Sequence, residues 1–390
     1  MKILIDGQTL LTPEITRGIG KYFISSVENI LRYDFTNDFF LATKEGPHLD
    51  ILSPWARNKL RILSNDAYDP SSHLKDGEQS YSEVLNDDIV QHGVDVYWSP
   101  NALMDNVVLP TRLTSSCKFA VTIFDLIIAV MERDYAKHQS ASSLARYKNK
   151  LKRLERDFDI FIHISCHTEL DFRKALNVED KTHIVTPLAV DSHFVPLAFP
   201  CRASRFDYVI YPGGFDPRKN LERTVEAFAR LQAKHGTDEK IQSTKLYIVC
   251  NYDRASENQL MSHARKHGIG DQVLLTGFVG DSEFIRLYQN ARCLFFPSLY
   301  EGFGLPVLEG LACGLPVATS NTSSLPEVGG HWAFYFDPYN IEEMAQCLYE
   351  ALRAPIDSES RLRRYEYSRE FSWKKTAFAT LNAFEIGYGR

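Results

Sequence analysis

Short apolar runs alternate along this chain with longer stretches whose apolar residues recur every three or four positions. In the first half the runs are Lys2–Asp6, Phe39–Thr43, Val94–Trp98, Phe119–Phe124, Ile160–Ser165 and His183–Thr186. Each is short and nearly continuous in apolar character, as expected of a strand buried on both faces. Gly20–Arg32, Ser142–Arg156 and Thr168–Leu176 carry the helical period between them. The second half repeats the scheme, with strands at Tyr208–Pro212, Leu246–Cys250, Val273–Thr276, Cys293–Phe296, Val317–Ser320 and Ala333–Phe336 and helices between. Strand–helix alternation predicts parallel, doubly wound sheets. The expected fold class is therefore α/β with two Rossmann-like domains. Pro187, Pro196 and Pro200 interrupt any pattern, which places a break there and divides the chain at 1–195, 196–370 and a C-terminal helix at 371–390. Leu49–Gly77 is polar and irregular and predicts a long loop or an insertion. Ligands of doubly wound sheets bind beyond the carboxyl ends of the strands, so two such domains are expected to share one crevice lined by strand-end residues.

Composition narrows the function classes. A chain of 390 residues is long enough for two or three domains, each with its own core. A net charge of −6 gives no reason to expect general nucleic-acid affinity. The seven cysteines are scattered with no Cys-x-x-Cys, which argues for a reducing compartment and against a disulfide frame or a zinc site. Met1–Asp6 reads as a first strand rather than a signal peptide, and no apolar run approaches the roughly 20 residues of a membrane span. A cytoplasmic location is the expectation.

The densest chemistry lies in Leu299-Tyr-Glu-Gly-Phe-Gly-Leu-Pro-Val-Leu-Glu309. Glu301 and Glu309 stand eight positions apart, about 12 Å along the axis if one helix held both. Pro306 suits the start of a helix, Gly314 the residue past its end, and Pro316 prevents it from restarting. Glu301 is thus expected in the loop before the helix, with Gly302 and Gly304 allowing backbone N–H groups to approach a ligand closely. The helix start adds unpaired N–H donors and a positive dipole end, a cradle for phosphate flanked by two carboxylates that accept sugar hydroxyls. The alternative is a Gly-rich turn with two solvated glutamates.

Three further segments follow strands. In Tyr211-Pro-Gly-Gly-Phe-Asp-Pro-Arg-Lys-Asn220, Gly213 and Gly214 permit a tight exit, and Asn220 is an expected N-cap for a helix from Leu221 to about Ala233. Arg218 and Lys219 are then placed to neutralise a diphosphate. Thr16-Arg-Gly-Ile-Gly-Lys-Tyr22 opens a helix without the full dinucleotide fingerprint, and can bring the Gly18–Gly20 backbone near a phosphate or sugar. Asp125 closes Thr122-Ile-Phe-Asp125, either facing the crevice or capping the next segment. Asp157-Phe-Asp159 precedes its strand, the wrong end for a metal-binding Asp-x-Asp, and His163, Cys166 and His167 do not converge by strand alternation. The basic stretch Ala145–Arg156 is by default a solvated helix face; an anionic membrane surface is the sharper alternative.

Together these segments resemble glycosyltransferase family four, the retaining GT-B transferases. The resemblance rests on Glu301-x7-Glu309, on Pro-Arg-Lys-Asn-Leu at 217–221, Gly-Ile-Gly-Lys-Tyr at 18–22, Ser-Leu-Pro-Glu-Val-Gly-Gly at 324–330, and on Phe371-Ser-Trp-Lys-Lys-Thr-Ala377, which is similar to a last helix that crosses back to the first domain. It implies that Glu301 contacts the transferred sugar and Glu309 the nucleotide ribose. It further implies that Arg218 and Lys219 hold the diphosphate, that Phe303–Leu305 touch sugar or β-phosphate, and that Gly18 and Gly20 approach the diphosphate. Residues around Phe278 would choose the base. No metal or other cofactor is implied, since fixed cations and helix N–H groups stabilise the leaving group. Two departures stand out: Phe124 where many members carry His before Asp125, and Gly214 where many carry Arg. The expected activity is transfer of a sugar, with GDP-mannose the leading donor, to a lipid-linked glycan of the O-antigen or exopolysaccharide kind, at or near the inner face of the membrane. Alternatives are a non-catalytic partner that binds nucleotide sugar or glycan, and a GT-B nucleotide-sugar epimerase.

Overall fold

A computed structural model describes residues 1–16, 18–69, 71, 80–112, 117–135, 140–197 and 207–389, without the side chains of Thr16 and Asp134. The chain forms two compact units, Met1–Leu188 together with Ser372–Arg390, and Ala189–Phe371. The sequence pattern places these divisions at 195 and 371. Of the three prolines that predict the break, Pro187 lies in the first unit and Pro196 in the second, and Pro200 lies outside the described residues.

The first unit holds a seven-stranded sheet. Its strands are β1 (Lys2–Asp6), β2 (Asp38–Thr43), β3 (Leu60–Ser64), β4 (Val96–Ser99), β5 (Lys118–Ile123), β6 (Ile160–His163) and β7 (Thr182–Val185). Their order is β3-β2-β1-β4-β5-β6-β7, and every pairing is parallel. β1, β4, β5 and β6 are buried almost throughout because helices cover both faces. β3 corrects the expected loop at 49–77: only Leu60 of its five residues is buried, so this edge strand carries no continuous apolar run.

The helix Trp373–Tyr388 belongs to this first unit and packs on the helix Gly18–Tyr33. Its contacts include ring pairs Tyr22–Trp373 at 6.2 Å and Tyr33–Phe378 at 5.7 Å. Thr376 Oγ1 donates to the Pro187 carbonyl at 2.6 Å, and the Tyr388 hydroxyl donates to Asp95 at 2.6 Å.

The second unit holds β8 (Tyr208–Tyr211), β9 (Lys245–Ile248), β10 (Val273–Leu275), β11 (Cys293–Phe296), β12 (Val317–Ser320) and β13 (Ala333–Phe336). All pair in parallel, in the order β10-β9-β8-β11-β12-β13. The order reverses between β8 and β11, which lie side by side with Cys293 opposite Val209 and Leu294 opposite Ile210. Ligands of doubly wound sheets collect at such a reversal, and the loops leaving β8 and β11 carry the residues singled out above. Among the described residues no helix is long and apolar enough to cross a membrane.

Candidate functional site

The loops after β8 and β11 meet in one buried ion cluster. The Glu301 side chain is only 10% exposed; Arg218 Nη1 donates to its Oε2 and Lys219 Nζ to its Oε1, each at 2.6 Å. Burial alone would raise the Glu301 carboxyl, but Lys219 and then Arg218 outweigh it and hold the group below the usual carboxylate range. Burial lowers the Lys219 ammonium against the pull of Glu301, with Arg218 adding to the fall. Lys219 also lies over the Phe296 ring at 4.8 Å. Asp216 orders the cation loop: it accepts from the Arg218 backbone N–H at 3.0 Å and from Arg218 Nε at 3.3 Å.

Backbone bonds lock the two loops together. The Leu299 N–H donates to the Arg218 carbonyl at 2.7 Å, and the Tyr211 hydroxyl to the Lys219 carbonyl at 2.8 Å. Asn220 precedes the helix Leu221–His235 as expected, but its side chain does not cap that helix. It adopts a left-handed φ of 60°, and its amide donates to the Pro297 and Pro338 carbonyls at 3.1 and 2.8 Å. It is a strut between loops, not a helix cap.

A third loop, after β12, clamps the glutamate loop. Ser323 Oγ accepts from the Glu301 backbone N–H at 3.0 Å. The Ser324 hydroxyl lies 2.9 and 2.8 Å from the Glu301 and Phe303 carbonyls. Thr322 Oγ1 donates to the Leu299 carbonyl at 3.2 Å. Gly304, at φ 104°, leads into the helix Leu305–Ala312, with Pro306 in its first turn. Gly314 follows the helix end at φ 74°, the left-handed conformation that the sequence anticipates there.

A family profile described as "Glycosyl transferases group 1" matches residues 202–371. The O-antigen chain mannosyltransferase B of Escherichia coli is 26% identical over 295 residues, which cover 72% of this chain and 73% of that protein. The serotype-specific mannosyltransferase WbdA of Escherichia coli is 30% identical over 180 residues, 46% of this chain and 22% of that longer protein.

The second unit thus matches the group 1 glycosyltransferase profile.

Among solved structures, Anabaena Alr3699/HepE in complex with UDP and glucose matches 99% of this chain and 100% of its own with a TM-score of 0.68 at 14% identity. The two doubly wound units are those of the GT-B fold.

The structure brings Glu301, Arg218 and Lys219 together and distributes the other singled-out residues around them or elsewhere. Glu309 is half-buried on the helix Leu305–Ala312; after burial, its carboxylate is the main cause that raises the Tyr288 phenol, so it lies beside that ring. Gly302, Phe303 and Gly304 are buried and Leu305 half-buried, and Phe303 packs edge-on against Phe371. A Cβ at Gly214 would meet only Cys250 Cβ at 3.6 Å, so the loop has room for a side chain there. Phe278 is 81% exposed after β10.

Asp125, Gly18 and Gly20 belong to the first unit. Asp125 Oδ1 accepts from the Ile127 N–H at 3.1 Å, the capping arrangement that its alternative reading describes. Gly18 opens the helix Gly18–Tyr33. At Gly20 an added Cβ would stand 2.0 Å from the Ile15 carbonyl oxygen, so packing against the preceding turn already requires glycine. Arg17 lies outside the described residues. Phe124, where His is common, packs edge-on against Tyr22 at 5.0 Å.

The motifs expected to be structural have structural partners. Asp159 accepts both contacts of Arg112 Nη1, at 3.1 and 2.9 Å, and the Phe119 N–H. His163 pairs with His183 at 3.0 Å, and His167 with Asp171 at 3.2 Å. On the basic helix, Arg146, Lys148 and Arg156 bind Asp105, Glu132 and Asp157, and Lys150 binds the Met104 and Val107 carbonyls. Those cations are engaged within the unit. Sequence reasoning misses Thr322, Ser323 and Asp216; hydroxyls and a carboxylate just past strand ends are their one available signal.

Proposed function

We propose that this chain is a retaining, metal-independent glycosyltransferase that moves mannose from GDP-mannose to a lipid-linked glycan in cell-surface polysaccharide synthesis. One observation carries the reading: Glu301, Arg218 and Lys219 converge from the two strand-end loops that flank the reversal of the second sheet. Breaking a glycosyl–phosphate bond puts negative charge on the leaving diphosphate and positive charge on the sugar. Two fixed cations serve the first and a carboxylate the second, in a site that sheds water. Before donor arrives, Glu301 pairs with both cations, and Asp216 supplies a second carboxylate to Arg218. An incoming diphosphate competes for them and frees the carboxylate toward the sugar, so binding and positioning are coupled. Glu309 takes the ribose hydroxyls, and the Phe303–Leu305 backbone at the helix start takes sugar or β-phosphate. Phe278 lies near the base.

Mannose is favoured because both of these relatives are named mannosyltransferases. The acceptor class follows the O-antigen naming of one of them. The site of action is the cytoplasmic face of the membrane.

The test is incubation with GDP-mannose, UDP-glucose and other nucleotide sugars plus a lipid-linked acceptor, in chelator, with product anomers read by NMR. Transfer from GDP-mannose with retained α-configuration is expected. Absence of transfer and hydrolysis with every donor would overturn the activity, and inversion would overturn the stereochemistry.

A further inference from the structure

Away from that ion cluster, the second unit carries a group that the transfer reaction does not use. Glu226 lies on the helix Leu221–His235, His263 on the helix Arg254–Lys266, and His267 caps the latter helix. The two histidines are four positions apart, hence on one helix face, with ring centres 4.7 Å apart. One ligating atom from each of the three residues falls within 4.8 Å of the other two. His263 Nε2 is 3.3 Å from a Glu226 carboxylate oxygen. That nitrogen is buried and makes no hydrogen bond. The contact therefore has the distance of an ion pair without the direction of a hydrogen bond.

The geometry points to a binding site for one zinc-class divalent cation held by Glu226, His263 and His267. Zinc bonds to imidazole nitrogen and carboxylate oxygen at about 2.0–2.2 Å, and a tetrahedron of that size has ligand–ligand edges of about 3.4 Å. The Glu226–His263 separation already matches such an edge. His267 is exposed, and a rotation of its side chain would close the longer separations. Two imidazoles and one carboxylate select a borderline cation over magnesium or calcium, which prefer all-oxygen sets. Three protein ligands leave a fourth position for water or another donor. The cation ties the helix that follows Lys219 and Asn220 to its neighbour, so it braces the element behind the cation loop and takes no part in transfer. The cysteine pattern, on which the sequence argues against zinc, has no bearing on a His-x3-His pair.

The full-length chain, stripped with chelator and titrated with zinc against a chromophoric competitor, is expected to bind one equivalent at micromolar or tighter affinity and to melt several degrees higher. His267→Ala and Glu226→Gln, both at partly or fully exposed positions, should each weaken binding at least about tenfold and remove the melting shift. Cobalt loading should give intense visible absorption in the parent and not in His263→Ala. Failure of the parent to bind zinc, or equal binding by the parent and a His263→Ala, His267→Ala double variant, would overturn the site. Transfer assays in chelator report separately on the proposed activity.

Discussion

The Ser323 hydroxyl accepts the backbone N–H of Glu301 at 3.0 Å, although the two residues leave different strands, β12 and β11. Ser323 does this at φ 54°, a left-handed conformation that costs an L residue about 1–2 kcal/mol. Ser323→Ala retains that strain and loses only the hydroxyl, so its effect isolates the clamp. We expect a fall of about fivefold in kcat/KM for transfer, equivalent to one hydrogen bond of about 1 kcal/mol, with a small change in melting temperature. Steady-state kinetics on the two proteins checks this; an unchanged kcat/KM would remove Ser323 from the positioning of Glu301.

Glu301→Gln tests the ion cluster through acid. The folded carboxyl sits below its ordinary value because of Lys219 and Arg218. Its stabilising contribution is therefore complete above the unfolded glutamate pKa of about 4.3 and disappears as pH falls through the lower folded value. At neutral pH the variant should lose on the order of 3 kcal/mol, since two largely buried cations lose their partner. Calorimetry from pH 7 to pH 3 should show the parent converging on the variant below about pH 4; a constant gap would contradict the assignment.

Two glycines of the site should respond oppositely to alanine. Gly304 combines φ 104° with a tight surround, since an added Cβ would stand 2.7 Å from Leu325 Cδ2. Gly304→Ala should therefore cost at least about 2 kcal/mol and reduce transfer. Gly214 meets only Cys250 Cβ at 3.6 Å, and Gly214→Ala should leave the urea midpoint within experimental error. Gly214→Arg should fold as well, restoring the cation that the family commonly has there; tighter binding of a nucleoside diphosphate in calorimetry is the expected gain.

Gly20→Ala separates packing from ligand contact in the first unit. The added methyl would overlap the Ile15 carbonyl oxygen at 2.0 Å, so the backbone must shift, at about 1–3 kcal/mol. The lowered urea midpoint should appear with or without nucleotide sugar. A loss confined to the liganded protein would show that the glycine is there for the diphosphate alone.

β11 and β12 lie where the apolar runs place them, because a strand buried between helices has no polar face to blur its ends. β3 is unreadable for the converse reason: four of its five residues are half or fully exposed. Within the site, Glu301, Arg218 and Lys219 are each visible as strand-end residues, but the family resemblance assigns them separate parts of the donor. Their direct pairing depends on β8 lying beside β11, and strand–helix alternation along a sequence does not state which strands become neighbours. Asn220 illustrates the same limit: a residue typical of helix caps is used for two carbonyls that are 77 and 118 positions away.

The placement of the last helix has a consequence for biosynthesis. Trp373–Tyr388 packs on the first helix and on β5, β6 and β7, yet it is translated after all of Ala189–Phe371. A nascent chain can complete the second unit from contiguous sequence while the first still lacks part of its core. The unit that emerges first finishes last, and until then its uncovered apolar surface is the part of the molecule most in need of a chaperone.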